Sequence, residues 1–245
     1  MKAMIFAAGL GTRLKPLTDS TPKALVAVAG KPLLEHVINK LKKAGFDEIL
    51  INVHHFPDQI IDFVKEHHNF GIRIEFSDER HCLLDTGGGI RKASEFFNDG
   101  QPFLVHNVDI LSNVDLEALY QFHLNEMPLA TLVVSERETS RYLLFDNGLY
   151  MHGWTNISTG EIKPTGLRNA EQYRKLAFSG IQVLSHSVFD LMGNYAPKFP
   201  IMDFYLDQVN NQEIRGFIPE SYRMLDVGKI DILDDAEKFL NSISI

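Results

Sequence analysis

Short apolar runs and amphipathic stretches alternate along the first 125 residues of the chain. The run Met4–Ala7 has the continuous apolar character of a strand that is buried on both faces. Leu33–Ala44 carries apolar residues at helical spacing, and Gly45 is suited to end that helix. The same patterns predict strands at Glu48–Val53, Ile72–Phe76 and Pro102–His106, and helices at Pro57–His68, Gly89–Phe97 and Asp115–Asn125.

The second half of the chain has shorter elements and more strands. Asp146-Asn147-Gly148 is a typical hairpin turn between two of them. Asn156–Lys175 is polar and rich in Gly, Thr and charged residues, so we expect a loop over a site. Further patterns predict strands at Leu129–Ser135, Arg141–Phe145, Gly148–Gly153, Ala177–Leu184 and Arg223–Val227, and helices at Ser187–Met192, Met202–Asn210 and Ile230–Leu240.

Strands separated by helices of this length predict an α/β fold. We expect three layers in a Rossmann-like arrangement, with a mixed, mostly parallel sheet and helices on both faces. No internal repeat, low-complexity tract or free linker interrupts the chain. Residues 1–245 are therefore expected to form a single domain.

The composition narrows the class of partners. A net charge of −8 argues against a general nucleic-acid binder, because phosphate backbones attract positively charged surfaces. No apolar run has the length of a membrane span. The one cysteine, Cys82, rules out an intramolecular disulfide, and we expect it to be buried in packing. These features predict a cytoplasmic protein, either a monomer or a small homo-oligomer, with no membrane partner.

The segment after the first strand carries the strongest chemical signal, Ala8-Gly9-Leu10-Gly11-Thr12-Arg13. Glycines at 9 and 11 let backbone amides approach an anion without interference from a Cβ atom. Arg13 adds a planar cation suited to phosphate oxygens. Lys23 follows about ten residues later and is a second cation for the same group. The segment is therefore a candidate phosphate-binding loop.

Three other interpretations of this loop compete. A dinucleotide-binding fingerprint needs glycine or alanine where Leu14 stands, and Pro16 interrupts the helix that should follow. A Walker-type loop needs Gly-Lys-Ser/Thr, which is absent from this segment. A plain turn with an incidental arginine stays open on the loop alone.

The opening of the chain closely resembles the nucleotidyltransferases that act on sugar 1-phosphates. The resemblance rests on three motifs, Ala7-Ala8-Gly9-Leu10-Gly11-Thr12-Arg13-Leu14-Lys15-Pro16-Leu17-Thr18, Pro22-Lys23-Ala24-Leu25 and Gly30-Lys31-Pro32-Leu33. It implies that Ala8, Gly9, Gly11 and Thr12 hold a nucleoside triphosphate. It also implies that Arg13 and Lys23 neutralise charge at the reacting phosphorus. Residues 1–125 would then bind the nucleotide, and residues 126–245 the sugar.

A second motif is Leu84-Asp85-Thr86-Gly87-Gly88-Gly89-Ile90. Three glycines before a helix allow a close backbone approach to a flat base or point amides at an anion, although a flexible turn explains them equally well. In the family this position lies beside the nucleobase, and the form of the motif resembles the small bacterial branch. The resemblance therefore makes Asp85, Thr86 and Gly87 candidates for the base site.

Two aspartates follow apolar strands. Asp109 ends His106-Asn107-Val108-Asp109, and a carboxylate at the end of a parallel strand lies where such sheets bind ligands, although a lone aspartate is more often a capping or turn residue. Asp226 ends a late apolar strand and begins Asp226-Val227-Gly228. The resemblance implies that both bind magnesium. Val108 stands where the family usually has glycine, which affects the sugar-phosphate contact expected at Asn107.

The second half carries weaker signals. Gly180, in Phe178-Ser179-Gly180-Ile181, resembles the family position that lets a sugar ring approach. Lys163 stands in Glu161-Ile162-Lys163-Pro164, which loosely resembles a sugar-phosphate-binding motif; a solvated loop lysine is the alternative. Trp154 suits either stacking on a sugar or core packing.

The resemblance implies a nucleotidyltransferase that joins a nucleoside triphosphate to a sugar 1-phosphate with Mg²⁺ and releases pyrophosphate. It favours UTP and a sugar like N-acetylmuramate 1-phosphate. The alternatives are a guanylyltransferase for mannose or heptose 1-phosphate, a phosphocholine cytidylyltransferase, or a regulatory relative that binds nucleotide sugars without turnover.

Overall fold

The structure, a computed structural model, describes residues 1–243. Its strands are β1 (Lys2–Phe6), β2 (Ala27–Val28), β3 (Lys31–Pro32), β4 (Glu48–Val53), β5 (Arg73–Asp78), β6 (Phe103–Asn107), β7 (Ile110–Ser112), β8 (Ala130–Ser135), β9 (Arg141–Phe145), β10 (Met151–Asn156), β11 (Glu161–Lys163), β12 (Arg174–Leu184), β13 (Ile214–Phe217) and β14 (Met224–Asp226). Its α-helices are α1 (Leu33–Lys43), α2 (Pro57–Glu66), α3 (Asp85–Lys92), α4 (Leu116–Glu126), α5 (Val188–Leu191), α6 (Ile201–Gln208) and α7 (Leu233–Ser242).

The central sheet has the strand order β5–β4–β1–β6–β12–β8–β13. Every strand in this order runs in the same direction except β12, which is antiparallel to both of its neighbours. The predicted mixed, mostly parallel sheet is therefore confirmed. Parallel strands need crossover connections, and the helices supply them.

Helices cover both faces of this sheet. Ala3 and Ile5 of β1 point into one apolar cluster, which α1, α2, α4 and α7 complete. Met4, between them, points into a second cluster with α3, α5 and α6. Because side chains alternate along a strand, these two clusters lie on opposite faces. The predicted three layers are confirmed.

The antiparallel part of the second half branches from the long strand β12. Arg174–Leu176 at its start pairs with β9, and β9 continues the sheet to β10 and β11. The stretch Asn156–Lys175, predicted as a loop, therefore contains strand β11 and the first residues of β12. The three residues of β11 are mostly exposed, and a strand this short and polar leaves no hydrophobic pattern in the sequence.

Other differences between the predicted and the observed elements concern short or glycine-rich segments. The helix predicted at Gly89–Phe97 begins earlier, and α3 includes all three glycines. The short strands β7 and β13 were not predicted. Cys82, expected to be buried, is exposed. Within residues 1–243, no helix combines the length and apolar character that crossing a bilayer requires.

Candidate active site

The loop after β1 is held in a shape that requires glycine at position 11. Gly11 has φ +63°, and a Cβ atom there would lie 2.8 Å from Thr18 Cγ2. The Thr18 hydroxyl donates a hydrogen bond of 2.8 Å to the Gly11 carbonyl. Gly9, Thr12 and Arg13 are exposed. The loop therefore has a fixed backbone and an open outer face, as an anion-binding loop requires.

A buried polar network fixes the base of this loop. The side-chain carbonyl of Asn52 accepts hydrogen bonds from the backbone amides of Ala7 at 2.8 Å and Ala8 at 3.3 Å. Its amide donates to Glu79 Oε1 at 2.9 Å, and Glu79 Oε2 accepts from the Leu84 amide at 3.0 Å. Since the Ala7 and Ala8 amides are bonded to Asn52, they are not available to a phosphate. Amides that bind an anion must come from Gly9 onward.

The sequence did not single out Asn52 or Glu79. Both lie at the ends of neighbouring parallel strands, Asn52 in β4 and Glu79 directly after β5. The only signal for these residues in the sequence is a polar side chain near the end of an apolar run. Neither residue belongs to a recognisable motif, so this signal does not mark a site. The two residues link the phosphate loop to the start of α3.

The two candidate metal ligands are brought together by a small ribbon. β7 and β14 pair as antiparallel strands, with Asp226 opposite Ile110. The Val227 amide donates a hydrogen bond of 2.8 Å to the Asp109 carbonyl. Asp109 directly precedes β7, so the pairing places both aspartates at the same end of the ribbon. The structure thus brings together two residues that are far apart in the sequence.

The two predicted cations reach the same place. Lys23 Nζ forms an ion pair and hydrogen bond with Asp109 Oδ2, and both side chains are largely buried. A Cβ atom on Gly228 would lie 2.7 Å from both Arg13 Nη2 and Asp226 Oδ1. The Arg13 guanidinium and the Asp226 carboxylate therefore both lie where a side chain at position 228 would begin. This crowding gives the Asp-Val-Gly motif a physical reason for its glycine.

The pKa of Asp226 is raised above its usual value. Partial burial is the largest cause, and the negative charge of Asp109 adds to it. The positive charges of Lys23, Arg13 and Arg137 oppose this shift. A pair of carboxylates that repel each other is a site that a cation stabilises.

Mg²⁺ prefers about six oxygen ligands and usually takes several of them from water and substrate phosphates. Two neighbouring carboxylates beside a phosphate loop fit that donor set. Among the described residues, no group of three or more His, Cys, Asp or Glu side chains is arranged to hold a metal ion. Asp109 and Asp226 would be the protein's share of such a site, with the other ligands supplied by the substrates and water.

A cleft of about 320 Å³ lies at the carboxyl ends of β1 and β6, and Arg13 and Asp226 are outside its lining. The residues that line it are Phe6, Ala7, Ala8, Gly9, Lys23, Asn52, Leu83, Asp85, Thr86, Asn107, Val108, Asp109 and Lys198. Open α/β sheets bind ligands at this edge. The cleft therefore combines the phosphate loop, the α3 start and the metal candidate Asp109.

The three glycines of α3 are explained by packing inside the chain. Cβ atoms on Gly87 and Gly88 would lie 2.3 Å from Phe199 Cε2 and 2.3 Å from the Pro197 carbonyl oxygen. The amides of Gly87 and Gly88 donate to the Phe199 carbonyl at 2.9 and 3.2 Å. The first turn of α3 is thus covered by residues 197–199. Its amides do not point at an anion, which was one of the two roles considered for this motif.

The other base-site candidates remain near the cleft. Asp85 and Thr86 line it, whereas Gly87 faces Phe199. The Thr86 hydroxyl oxygen accepts a 2.8 Å hydrogen bond from the Ile201 amide, so it also fixes the start of α6. Lys198 was missed by sequence analysis because only the packing of residues 197–199 on α3 brings it to the cleft.

Asn107 and Gly180 are direct neighbours. β12 has an irregular register between Phe178 and Gln182, and Gly180 adopts φ +73° within this bulge. A Cβ atom there would lie 2.6 Å from Asn107 Nδ2. Glycine is thus required by both the backbone and the close approach. Val108 is buried in the apolar cluster that contains Ala3 and Ile5, and it also lines the cleft.

Lys163 lies apart from these residues. It ends β11 opposite Trp154 of β10. Its ammonium lies 3.3 Å from Glu161 Oε1 and 5.5 Å from the centre of the Trp154 ring. Neither Lys163 nor Trp154 lines the cleft. The two side chains instead lie beside each other on the β10–β11 hairpin.

Comparisons with known proteins agree with this geometry. A family model described as "Nucleotidyl transferase" matches residues 2–242. N-acetylmuramate alpha-1-phosphate uridylyltransferase from Neisseria meningitidis is 48% identical over 121 residues, which are 49% of this chain and 52% of that protein. Mannose-1-phosphate guanyltransferase from Yarrowia lipolytica is 31% identical over 250 residues, which cover 100% of this chain and 65% of that protein. The chain therefore matches about half of the Neisseria relative's length.

A solved structure shares the fold. UDP-glucose pyrophosphorylase complexed with UDP-glucose superposes with a TM-score of 0.78 at 17% identity, covering 98% of both chains. At this identity the likeness concerns the fold alone. It places the mixed sheet and its helices among the nucleotide-diphospho-sugar transferase folds.

Proposed function

This chain belongs to the nucleotidyl transferase family, and we propose that it transfers a nucleotidyl group from a nucleoside triphosphate to a sugar 1-phosphate. The family match over residues 2–242 confirms the resemblance seen in the N-terminal motifs. One observation carries the proposal: the phosphate loop, Lys23, Asp109 and Asp226 meet at one edge of the sheet. They have the chemistry that joining two phosphate-bearing substrates requires.

The reaction is an in-line displacement. A phosphate oxygen of the sugar 1-phosphate bonds to the α-phosphorus, the bond to the β-phosphate oxygen breaks, and pyrophosphate leaves with the bonding electrons. Arg13 and Lys23 stabilise the charge that develops on the α-phosphoryl group and the leaving pyrophosphate. The loop from Gly9 to Thr12 positions the triphosphate. The groups gathered at the cleft bind and neutralise phosphates, so positioning and charge stabilisation supply the catalysis.

Asp109 and Asp226 would hold Mg²⁺, which would supply positive charge to stabilise the reacting phosphates. The ribbon of β7 and β14 sets the distance between these carboxylates before any substrate binds. Lys23, which contacts Asp109 in the free protein, is then available to the triphosphate.

Within this reaction we propose UTP and a sugar like N-acetylmuramate 1-phosphate as substrates. The Neisseria relative, 48% identical over the matched stretch, carries that name. A GTP-dependent guanylyltransferase for mannose or a related sugar is the second candidate. It is supported by the Yarrowia relative, whose match extends over the whole of this chain.

We also propose that the chain acts as one domain in which residues 1–125 bind the nucleotide and residues 126–245 bind the sugar. Asp85 and Thr86 would lie beside the base, and Asn107 and Gly180 beside the sugar phosphate. The cleft opens at the end of β6, the strand of the first half that pairs with β12 of the second half. The cytoplasm, where nucleoside triphosphates are available, is the proposed location.

A grid of pyrophosphate-release assays tests the proposal. It combines the four ribonucleoside triphosphates with several sugar 1-phosphates and Mg²⁺. The favoured result is release only in the UTP and N-acetylmuramate 1-phosphate combination. Release with GTP and mannose 1-phosphate supports the second candidate. Binding without release in every combination overturns the enzymatic proposal and favours a regulatory protein.

A further inference from the structure

A third cation, Arg137, lies near the site and has no role in the mechanism above. It follows β8, and its Nη2 donates a hydrogen bond of 3.1 Å to the Phe178 carbonyl. Phe178 of β12 pairs with Val134 of β8, so Arg137 follows a strand that is hydrogen-bonded to β12. The guanidinium has five N–H donors, and this bond orients its plane while leaving others for a ligand. The residue is exposed, as a ligand-binding group must be.

The position of Arg137 is on the sugar side of the cleft. Phe178 comes just before the bulge at Gly180, whose bare Cα lies against the Asn107 side chain. Asn107 lines the cleft. The guanidinium thus contacts the proposed sugar strand two residues before the bulge that faces Asn107.

The other cations around the reaction centre lie on the nucleotide side of the cleft. Lys23 contacts Asp109, Arg13 belongs to the phosphate loop, and Lys198 lines the cleft with Asp85 and Thr86. Lys163, the lysine that the sequence assigned to the sugar phosphate, contacts Glu161 and Trp154 instead. A sugar 1-phosphate brings close to two further negative charges into this region at pH 7.

We propose that Arg137 binds the phosphate of the sugar 1-phosphate, in place of Lys163. This inference rests on the proposed function. The planar fork of an arginine matches the oxygens of a phosphate, and charge-assisted bonds of this kind are the strong ones. Arg137 holds the attacking phosphate oxygen toward the α-phosphorus, while Arg13 and Lys23 act on the triphosphate.

The Tyr222 hydroxyl lies close to Arg137 and agrees with this assignment. Burial raises the pKa of Tyr222, whereas hydrogen bonds with Ser179 and Ser112 and the positive charge of Arg137 act in the opposite direction. The surroundings of Arg137 are therefore polar, as a phosphate subsite requires.

Steady-state kinetics of Arg137→Ala and Arg137→Lys test the proposal. Arg141→Ala is the matched control, because Arg141 is an exposed arginine in the same connection, at the start of β9. We expect Arg137→Ala to raise the KM for the sugar 1-phosphate by about tenfold to hundredfold. The KM for the triphosphate should stay within about twofold of the unchanged protein, since its ligands are elsewhere. Arg137→Lys should recover part of the loss, because it keeps the charge and loses the fork.

Binding measured by calorimetry separates this inference from the proposed function. Glucose 1-phosphate is titrated into the unchanged protein and into Arg137→Ala. Binding that is lost in the variant supports the inference even if no combination in the grid turns over. Turnover with an unchanged KM for the sugar 1-phosphate in Arg137→Ala overturns it and leaves the proposed function standing. A change confined to the KM for the triphosphate also overturns it, and absence of both binding and turnover in the unchanged protein overturns both.

Discussion

The backbone amide of Val227 donates a 2.8 Å hydrogen bond to the carbonyl of Asp109, and this bond holds two acidic side chains together at the edge of the sheet. Asp109 lies two residues after the end of β6, and Asp226 is the last residue of β14. Neither carboxylate alone defines a metal site. The ribbon of β7 and β14 converts them into a pair. Substitutions of these two aspartates and of the nearby cations test the proposed mechanism most directly.

Substitution of either aspartate should remove the protein's share of the metal site. We expect Asp109→Asn and Asp226→Asn each to lower kcat by about 10²–10³, the usual effect of losing one charge-stabilising group. Asp62→Asn, on the exposed face of α2, is the control and should be without effect. Pyrophosphate release measured across a range of Mg²⁺ concentrations tests this. Full activity of both variants would contradict the mechanism.

Lys23 should contribute to catalysis more than to folding. Lys23→Ala removes a cation from the triphosphate and leaves Asp109 without its ion-pair partner, so we expect kcat/KM to fall by about 10²–10³. Lys15→Ala, which removes an exposed ion pair with Asp19, is the matched control. Thermal unfolding should show a small change in both variants. Equal activities of the two variants would show that Lys23 does not act on the reaction.

Gly11 is expected to be required for two separate reasons. Gly11→Ala forces alanine into φ +63° and places its Cβ 2.8 Å from Thr18 Cγ2. Gly30→Ala is a matched control, because Gly30 has φ +78° and no atom near the added Cβ. The control should lose about 1 kcal/mol of the free energy of unfolding, from the backbone conformation alone.

The added cost at Gly11 should come from Thr18. Thr18→Ser removes the crowding methyl group and keeps the hydroxyl that donates to Gly11, so it should restore part of the stability of Gly11→Ala. Urea unfolding of the single and double variants measures this coupling. If Gly11→Ala and Gly30→Ala were equally stable, contact with Thr18 would be without consequence.

Glu79 should connect the phosphate loop to α3. It is 2% exposed, and its two carboxylate oxygens accept hydrogen bonds from Asn52 Nδ2 and the Leu84 amide. Glu79→Gln turns one acceptor into a donor that faces a donor, so we expect a loss of about 1–3 kcal/mol in the free energy of unfolding. Activity should fall as well, since Asn52 holds the base of the loop. Glu75→Gln, at an exposed position of β5, is the control, and denaturant unfolding with parallel activity assays measures both effects.

His123 should make stability depend on pH. It is 1% exposed, with Nδ1 at 2.9 Å from Thr131 Oγ1 and Nε2 at 3.1 Å from Ser185 Oγ. Ser185 donates its own proton to the Pro128 carbonyl, so it accepts a hydrogen bond from Nε2–H. Burial lowers the pKa of His123 to about 4, whereas an unfolded chain has about 6.5.

The sign of the effect follows from these pKa values. Below pH 6.5 the unfolded chain binds a proton that the folded protein does not, so stability falls as the pH falls toward 4. At pH 5, His123 accounts for a loss of about 2 kcal/mol relative to neutral pH. Urea unfolding at pH 7.5 and pH 5 should show a smaller pH effect in His123→Gln than in the unchanged protein or in His81→Gln. An identical pH effect in all three would contradict the assignment.

The sequence was sufficient wherever one local segment carries both the signal and the structure. The alternation of apolar runs predicted β1, β4, β6 and the helices α1 and α2, because a buried strand or an amphipathic helix leaves its period in the chain. Local signals failed for α3. Glycine disfavours a helix interior, and only contact with Phe199 and Pro197 explains why these glycines are there.

For the candidate site, the sequence by itself determined the chemical groups: the glycine loop, Arg13, Lys23 and two aspartates that follow apolar strands. Tertiary structure decided which groups meet. It placed Asp226 beside Asp109, placed Lys163 in the β10–β11 hairpin, and brought Lys198 to the cleft. The physical reason is that a motif reflects the conformation of one short backbone segment. Contacts between distant segments depend instead on strand pairing and packing, which leave no local pattern in the sequence.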